Sequence, residues 1–154
     1  MLDLIFSAIW FILPAYFANT APVIGAKIFG KYNAPISKKI LGEGKTWGGF
    51  ILGVLAGTLV GFLQGVILLG FLLGLGAMLG DMIGSLIKRR FGLKRGAPAP
   101  LLDQYDFLII ALAFASIIKT PTLAQLIVIL ILTPIFALTG NFIAFTLKLK
   151  KEWW

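Results

Sequence analysis

Five long apolar runs dominate this 154-residue sequence and determine what it can fold into. A helix needs about 20 mostly apolar residues to cross a bilayer core of about 30 Å. Hydrophobic residues make up 59% of the chain and charged residues only 13%, with a mean hydropathy of +0.98, and a soluble domain of this size needs far more polar surface. The sequence therefore predicts an all-α integral membrane protein, a single transmembrane domain over residues 1–154. Its five predicted spans are 4–26, 47–63, 66–87, 103–118 and 123–147.

The fourth apolar run is too short to cross the bilayer alone. Residues 107–118 cover only about 18 Å as a helix. Extending this helix backwards through Asp106 to Asp103 gives it more length. The extension also brings carboxylates towards the membrane.

The basic residues predict the orientation. Of the 14 Lys and Arg residues, all except Lys119 fall in loop 27–46, in loop 88–104 or in the tail after the last span. Basic residues concentrate on the cytoplasmic side of membrane proteins. We therefore expect a multi-pass protein of the cell membrane with its amino terminus outside, its carboxyl terminus in the cytoplasm and two basic cytoplasmic loops.

Composition also limits the chemistry. The chain has no Cys and no His, so it has no thiol nucleophile and lacks the commonest general base and metal ligand. The net charge of +8 is not interpreted as nucleic-acid binding. In so apolar a chain, basic residues set topology and contact anionic membrane lipids or phosphates.

Glycine recurs every fourth residue in the second and third spans. Residues four apart share one helix face, where small side chains let two backbones approach closely in lipid. This pattern predicts a packing seam inside the bundle or a homodimer interface, the alternative being room for a ligand near Gly80 and Gly84. The repeats are Gly49, Gly53, Gly57, Gly61 and Gly65, then Gly70 and Gly74, and finally Gly76, Gly80 and Gly84.

Three acidic residues stand where solubility does not require them. Asp81 lies seven residues before Lys88, about 10 Å inside the third span, where an unpartnered carboxylate is costly. Asp103 and Asp106 share a helix face at the start of the fourth span. Three converging carboxylates without His or Cys predict a Mg²⁺ site. The alternative is that Asp81 pairs with a basic residue of a neighbouring loop while the other two cap the fourth span.

Basic residues beside these acids suggest phosphate binding. Lys45, Thr46 and Gly48 open the second span, where free N–H groups and the helix dipole favour an anion. Alone, the basic stretches are interpreted as topology signals. Together with the aspartates they predict a nucleoside triphosphate site. Lys88, Arg89 and Lys94 are the candidates beside the third span.

The segment GDMIGSLIKRRFGLKRGAPAPLLDQYD, residues 80–106, resembles the signature of the CDP-diacylglycerol synthase family of membrane cytidylyltransferases. GKTWGGF resembles a second family motif, and FGKYNAPI, LGEGKTW and PLLDQYDF resemble the archaeal branch. The chain departs from the bacterial and eukaryotic pattern at Arg95, at Gln104, at Gly48 and in lacking a His-Gly-Gly element. The matching signature residues are Ser85, Lys88, Arg89, Lys94, Asp103 and Asp106.

The resemblance implies transfer of CMP from CTP to an unsaturated archaeal ether-lipid phosphate, with release of pyrophosphate. It implies that Mg²⁺ is held by the three aspartates, with Ser85 as an auxiliary ligand. Lys88 is also assigned to catalysis, and the lipid enters laterally from the bilayer. Phosphate or nucleotide contacts are expected from Lys45, Thr46, Gly48, Lys88, Arg89 and Lys94, and lipid-phosphate contacts from Lys38, Lys39 or Arg95.

Two other classes of protein remain as alternatives. One is a different Asp- and Mg²⁺-dependent membrane lipid transferase, although the usual Asp-Gly-x-x-Ala-Arg and Asn-Asp-x-x-Asp patterns are absent. The other is a small carrier that uses Asp81 as its coupling residue. The glycine pattern of the second and third spans has no counterpart in the fourth and fifth, which disfavours the inverted repeats of many carriers.

Overall fold

The computed structural model describes residues 1–30, 33–94 and 97–149, except for the side chains of residues 26 and 27. It confirms an all-helical fold. Within these ranges, the extended pairing is the single bridge between Pro35 and Thr46. The helices are α1 (Leu2–Phe29), α2 (Trp47–Leu63), α3 (Ile67–Arg90), α4 (Leu102–Ala115) and α5 (Leu123–Thr146).

Three helices of the described chain are long and apolar enough to cross a membrane. They are α1 over Leu2–Gly25, α3 and α5. Helix α2 has 17 residues and α4 has 14, so α4 covers only about 21 Å. It ends at Ala115, three residues before the predicted end, and the chain turns at residues 116–118. The orientation across the membrane stays a prediction.

The polar connections are shorter than the predicted loops 27–46 and 88–104. Helix α3 continues through Lys88 and Arg89 to Arg90, where basic side chains interact favourably with the carboxyl end of the helix dipole. Gly92 follows with φ +72°, a conformation suited to glycine at the end of a helix. Lys88 and Arg89 are therefore held on a helix and not on a free loop.

Glycines of α2 and α3 form a seam inside the chain. A Cβ on Gly57 would lie 2.7 Å from the Gly74 Cα, and one on Gly61 would lie 2.5 Å from the Gly70 Cα. The two backbones therefore touch where side chains would separate them. Gly65 is not part of this seam, because it forms the turn between α2 and α3 with φ +75°. A homodimer would need a surface other than this seam, and the oligomeric state stays a prediction.

A second glycine face of α3 packs against α4. A Cβ on Gly76 would lie 2.7 Å from the Ala111 Cα, and one on Gly80 would lie 2.7 Å from the Phe107 Cα. One turn later, the Asp106 carboxylate occupies the space in front of Gly84. The room that these glycines leave is therefore filled by α4 itself.

Helix α5 is the peripheral helix of the bundle. Among its described residues only Ile129 and Thr133 are buried, whereas α1 contributes Ala8, Ile12 and Ala15 to the core. The Tyr16 hydroxyl lies 2.8 Å from the Thr133 Oγ1 and ties α5 to α1. Helix α5 thus covers one side of α1 loosely and leaves a groove beside it.

Candidate active site

Charged side chains meet at the end of the bundle where α2 and α4 begin and α3 ends, here called the polar end. Two ion pairs join its segments. Lys45, just before α2, pairs with Asp81 on α3. The Lys88 Nζ on α3 lies 2.6 Å from the Asp103 Oδ1 on α4. Each pair therefore connects elements that are distant in sequence.

Lys45 is positioned by a short extended pairing. The Ile36 N–H donates to the Lys45 carbonyl at 2.8 Å, and the Trp47 N–H donates to the Ala34 carbonyl at 3.0 Å. Asn33 completes this support, because its Oδ1 accepts from the Gly48 N–H at 3.1 Å. With its backbone held on both sides, Lys45 is directed at Asp81.

The first N–H groups of α2 already have protein acceptors. Besides the Trp47 and Gly48 bonds, the Gly49 N–H donates to the Thr46 Oγ1 at 3.2 Å, so that Thr46 caps the helix. An anion at this helix start would have to displace these bonds. Nucleotide contact by Thr46 or Gly48 stays a prediction.

The Asp81 carboxylate is 26% exposed and has a basic partner from a preceding loop. This is the pairing that the alternative interpretation of Asp81 expects. The other half of that interpretation does not match the structure, because the α4 start has no side-chain cap. Asp103 instead accepts from the Ala99 N–H at 2.9 Å through Oδ2, while its Oδ1 accepts from Lys88.

Asp106 brings the third carboxylate to the same place. It packs against Gly84, one turn from Asp81 along α3. Its Oδ1 accepts from the Phe107 N–H at 2.6 Å. It is near enough to Asp81, Asp103 and Lys45 to interact electrostatically with each of them. The three predicted aspartates therefore lie at the polar end, one on α3 and two on α4.

This donor set fits Mg²⁺ without forming a complete protein cage. Within the described ranges, no three His, Cys, Asp or Glu side chains lie close enough together to hold a metal ion. Mg²⁺ usually takes one or two carboxylates and completes its shell with substrate phosphates and water. Asp81 and Asp106 would supply these carboxylates, Asp81 after release from Lys45. Asp103 would join them only after release from Lys88.

The remaining predicted residues divide between this cluster and other places. Ser85 is buried on α3, one turn beyond Asp81. Lys94 is exposed in the connection after α3, and Lys38 pairs with Glu43 at 3.8 Å. Arg95 lies outside the described residues.

Lys39 and Arg89 lie together in a separate cavity of about 740 Å³. Arg90 and the apolar side chains Ile40 and Leu86 also line it. Arg89 is further anchored through a hydrogen bond of 2.5 Å to the Leu93 carbonyl. The structure thus does not bring these two residues to the aspartate cluster.

Asn33 supports the site, although its sequence pattern predicts no role for it. It belongs to the FGKYNAPI stretch, which carried a resemblance but no assigned role. Its Nδ2 is buried without a hydrogen-bond partner in the described chain, while its Oδ1 holds Gly48. No charge or spacing signal in the sequence indicates that contact.

Comparison with known proteins decides the family. The CarS-like CDP-archaeol synthase family model matches residues 1–69 and 66–154. The chain belongs to the CDP-archaeol synthase family. Like its relatives in that family, it is a nucleotidyltransferase.

Relatives match over nearly the whole chain. The CDP-archaeol synthase of Thermococcus gammatolerans is 46% identical, covering 99% of this chain and 98% of that protein. The CDP-archaeol synthase of Methanocaldococcus jannaschii is 40% identical, covering 98% of each chain. A solved structure described as an intramembrane enzyme for archaeal membrane lipids biosynthesis superimposes with a TM-score of 0.72 at 34% identity, covering 89% of this chain and 94% of that one. The expected membrane cytidylyltransferase family is thus confirmed.

Proposed function

We propose that this CDP-archaeol synthase family member is a Mg²⁺-dependent cytidylyltransferase. It transfers CMP from CTP to an unsaturated ether-linked archaeal lipid phosphate and releases pyrophosphate. The observation that carries the proposal is the meeting of Lys45, Lys88 and three aspartates at the polar end. A triphosphate needs cations and a Mg²⁺ site together, and this cluster offers both.

The nucleophile is a lipid phosphate oxygen. It forms a bond to the α-phosphorus of CTP, and the bond from that phosphorus to the β-phosphate bridging oxygen breaks, so that pyrophosphate leaves with both electrons of the broken bond. A phosphate monoester is already ionised near neutral pH. No general base is needed, which suits a chain without His.

The main difficulty is the approach of two anions, and charge neutralisation answers it. Mg²⁺, when bound by Asp81 and Asp106, would supply Lewis-acid stabilisation of the phosphates. Lys45 and Lys88 are ammonium donors close to those acids. They neutralise the triphosphate and the leaving group.

The two ion pairs balance the charges of the site. An unpaired charge at this depth is costly. Each lysine therefore forms an ion pair with a carboxylate. On binding of the nucleotide, Lys88 and Lys45 would exchange Asp103 and Asp81 for phosphate oxygens. The released carboxylates would be the residues that hold Mg²⁺, so that every charge keeps a partner.

The site faces the cytoplasm of a multi-pass cell-membrane protein. The distribution of basic residues supports this orientation, because basic residues concentrate on the cytoplasmic side of a membrane. The polar end then lies on the side where CTP is available.

The test is incorporation of radiolabelled CTP into lipid by the purified full-length protein. The acceptors are lipid phosphates that differ only in ether or ester linkage and in chain saturation. We expect CDP-lipid with the unsaturated ether acceptor and none when EDTA removes Mg²⁺. A CDP-lipid requirement would indicate another lipid transferase, and absence of CTP binding in calorimetry with and without Mg²⁺ would indicate a carrier.

A further inference from the structure

An elongated groove lies between α1 and α5, beside the aspartate cluster. It consists of two adjoining cavities of about 350 Å³ and 290 Å³. They form one continuous space because six residues line both. The shared residues are Asn19, Thr20, Phe136, Ala137, Gly140 and Ile143.

The groove is longer than one leaflet of the bilayer core. Along α1 it runs from Ile9 to Ile24, which is about 22 Å at the helical rise of 1.5 Å per residue. That exceeds half of the hydrocarbon thickness of about 30 Å. A chain lying here would reach past the middle of the bilayer.

The walls of the groove differ between its two ends. The far end is apolar, with Leu13, Phe17 and Phe107 among its lining residues. The near end includes Asp103, whose carboxylate holds the Lys88 ammonium at 2.6 Å. A hydrocarbon chain in the far end would therefore place its headgroup beside the Lys88–Asp103 pair.

The groove is held in shape and is accessible from the side. Tyr16 and Thr133 join its two helices by a hydrogen bond of 2.8 Å, and the Tyr16 ring packs on Phe136 with 5.4 Å between centroids. At Gly140, an added Cβ would meet no atom within 4 Å. Ile143 on α5, which lines both cavities, is 55% exposed.

We propose that the α1–α5 groove binds one hydrocarbon chain of the lipid phosphate, directed from the Lys88–Asp103 pair towards Leu13. The proposal rests on the proposed function for the identity of the lipid. Continuity of the groove with Asp103 sets the direction of the chain. The phosphate then meets Lys88 as the hydrocarbon enters from the bilayer.

A graded series at Gly140 tests the proposal, using Gly140→Ala, Gly140→Leu and Gly140→Phe. These side chains extend into the groove, and replacing Gly in a helix also removes its propensity penalty. We expect KM for a long-chain lipid phosphate to rise stepwise, by tenfold or more in Gly140→Phe, with an unchanged Kd for CTP. The matched control is Ala124→Phe, at an exposed α5 position that lines neither cavity.

A photo-crosslinking experiment provides a readout without turnover. The wild-type full-length protein is placed in vesicles with a lipid phosphate that carries a diazirine midway along one chain. We expect labelled peptides from residues 9–24 and 133–149. Labelling confined to α2 or α3, or an unchanged lipid KM in Gly140→Phe, would overturn the groove assignment.

These experiments separate the two proposals. If the wild-type protein forms no CDP-lipid but is labelled in the groove, the proposed reaction fails and the chain-binding site stands. If it forms CDP-lipid and is labelled elsewhere, the reaction stands and the groove assignment fails.

Discussion

The Lys88 Nζ lies 2.6 Å from the Asp103 Oδ1 and joins the last turn of α3 to the first turn of α4. Lys88 is 18% exposed and Asp103 36%, so water screens the pair only in part. The Lys45–Asp81 pair similarly joins the segment just before α2 to the part of α3 that lies at the polar end. Together the pairs hold acids and bases of three segments at one place.

Neutralising any one of the three aspartates is expected to remove activity while the fold remains. In Asp81→Asn, Asp103→Asn and Asp106→Asn, incorporation of CTP into lipid should fall at least about 100-fold, because charge stabilisation of the phosphates is lost. Radiolabelled product and thermal melting of the purified variants measure the two effects. Wild-type turnover in any of the three would refute its assignment to the metal.

Asp3→Asn is the matched control for these variants. Asp3 lies in the first turn of α1, at the opposite end of the bundle from the aspartate cluster. It should retain wild-type turnover.

Exchanging the partners of one ion pair separates stability from activity. Either Lys88→Asp or Asp103→Lys alone places like charges together and should lower the melting temperature, at a cost of about 1.5 kcal/mol or more. The double variant restores opposite charges and should regain most of that loss. Its turnover should stay below about 1% of wild type, because the ammonium is then on α4 instead of α3. Recovered activity in the double variant would mean that the pair is purely structural.

Gly84→Ala is expected to impair activity by displacing Asp106. The new methyl group would overlap the Asp106 carboxylate and lie 2.7 Å from its Cβ. Misplacement of a reacting group by about 1 Å costs up to about 100-fold in rate. Steady-state kinetics should therefore show a 10- to 100-fold lower kcat. Leu68→Ala is the control, since Leu68 is an exposed residue in the first turn of the same helix, and an equal loss in both variants would contradict the explanation.

Asn33 is expected to act as a positioning residue for Lys45. Asn33→Ala leaves the Gly48 N–H without its acceptor, at a cost of about 1–3 kcal/mol, and loosens the segment that holds Lys45. We expect a lower kcat with a weaker effect on KM for CTP. Asn33→Asp keeps an acceptor oxygen and should restore most of kcat. If the aspartate variant is as impaired as the alanine variant, the Gly48 bond is not what matters.

Hydropathy predicted the helices well, because each must be apolar to lie in a bilayer. The predicted bounds of the second span match α2, and the predicted fifth span exceeds α5 by one residue. The ends of α3 and α4 were harder to predict. Basic residues after an apolar run are compatible with either a loop or the last turn of a helix. Here they belong to the last turn of α3, because they interact favourably with the helix dipole and the helix ends only before Gly92.

The site was predicted as a set of residues but not as an arrangement. Spacing placed Asp81 at depth and the other two acids on one helix face. Which lysine meets which acid depends on helix packing. Arg89 shows why spacing alone does not predict these contacts. It is adjacent to Lys88 in sequence, yet it lines a different cavity with Lys39. Neighbours on a helix point about 100° apart.

Local sequence patterns are enough to establish the helical membrane class, the polar end and the residue types available there. They are enough because apolar length, charge and the absence of His and Cys act locally. Helix packing, by contrast, makes Gly84 the place for Asp106, brings Asn33 to the support of Lys45 and leaves a groove between α1 and α5. Those features depend on how closely helix backbones approach each other, and each approach is set by side chains that are far apart in the chain.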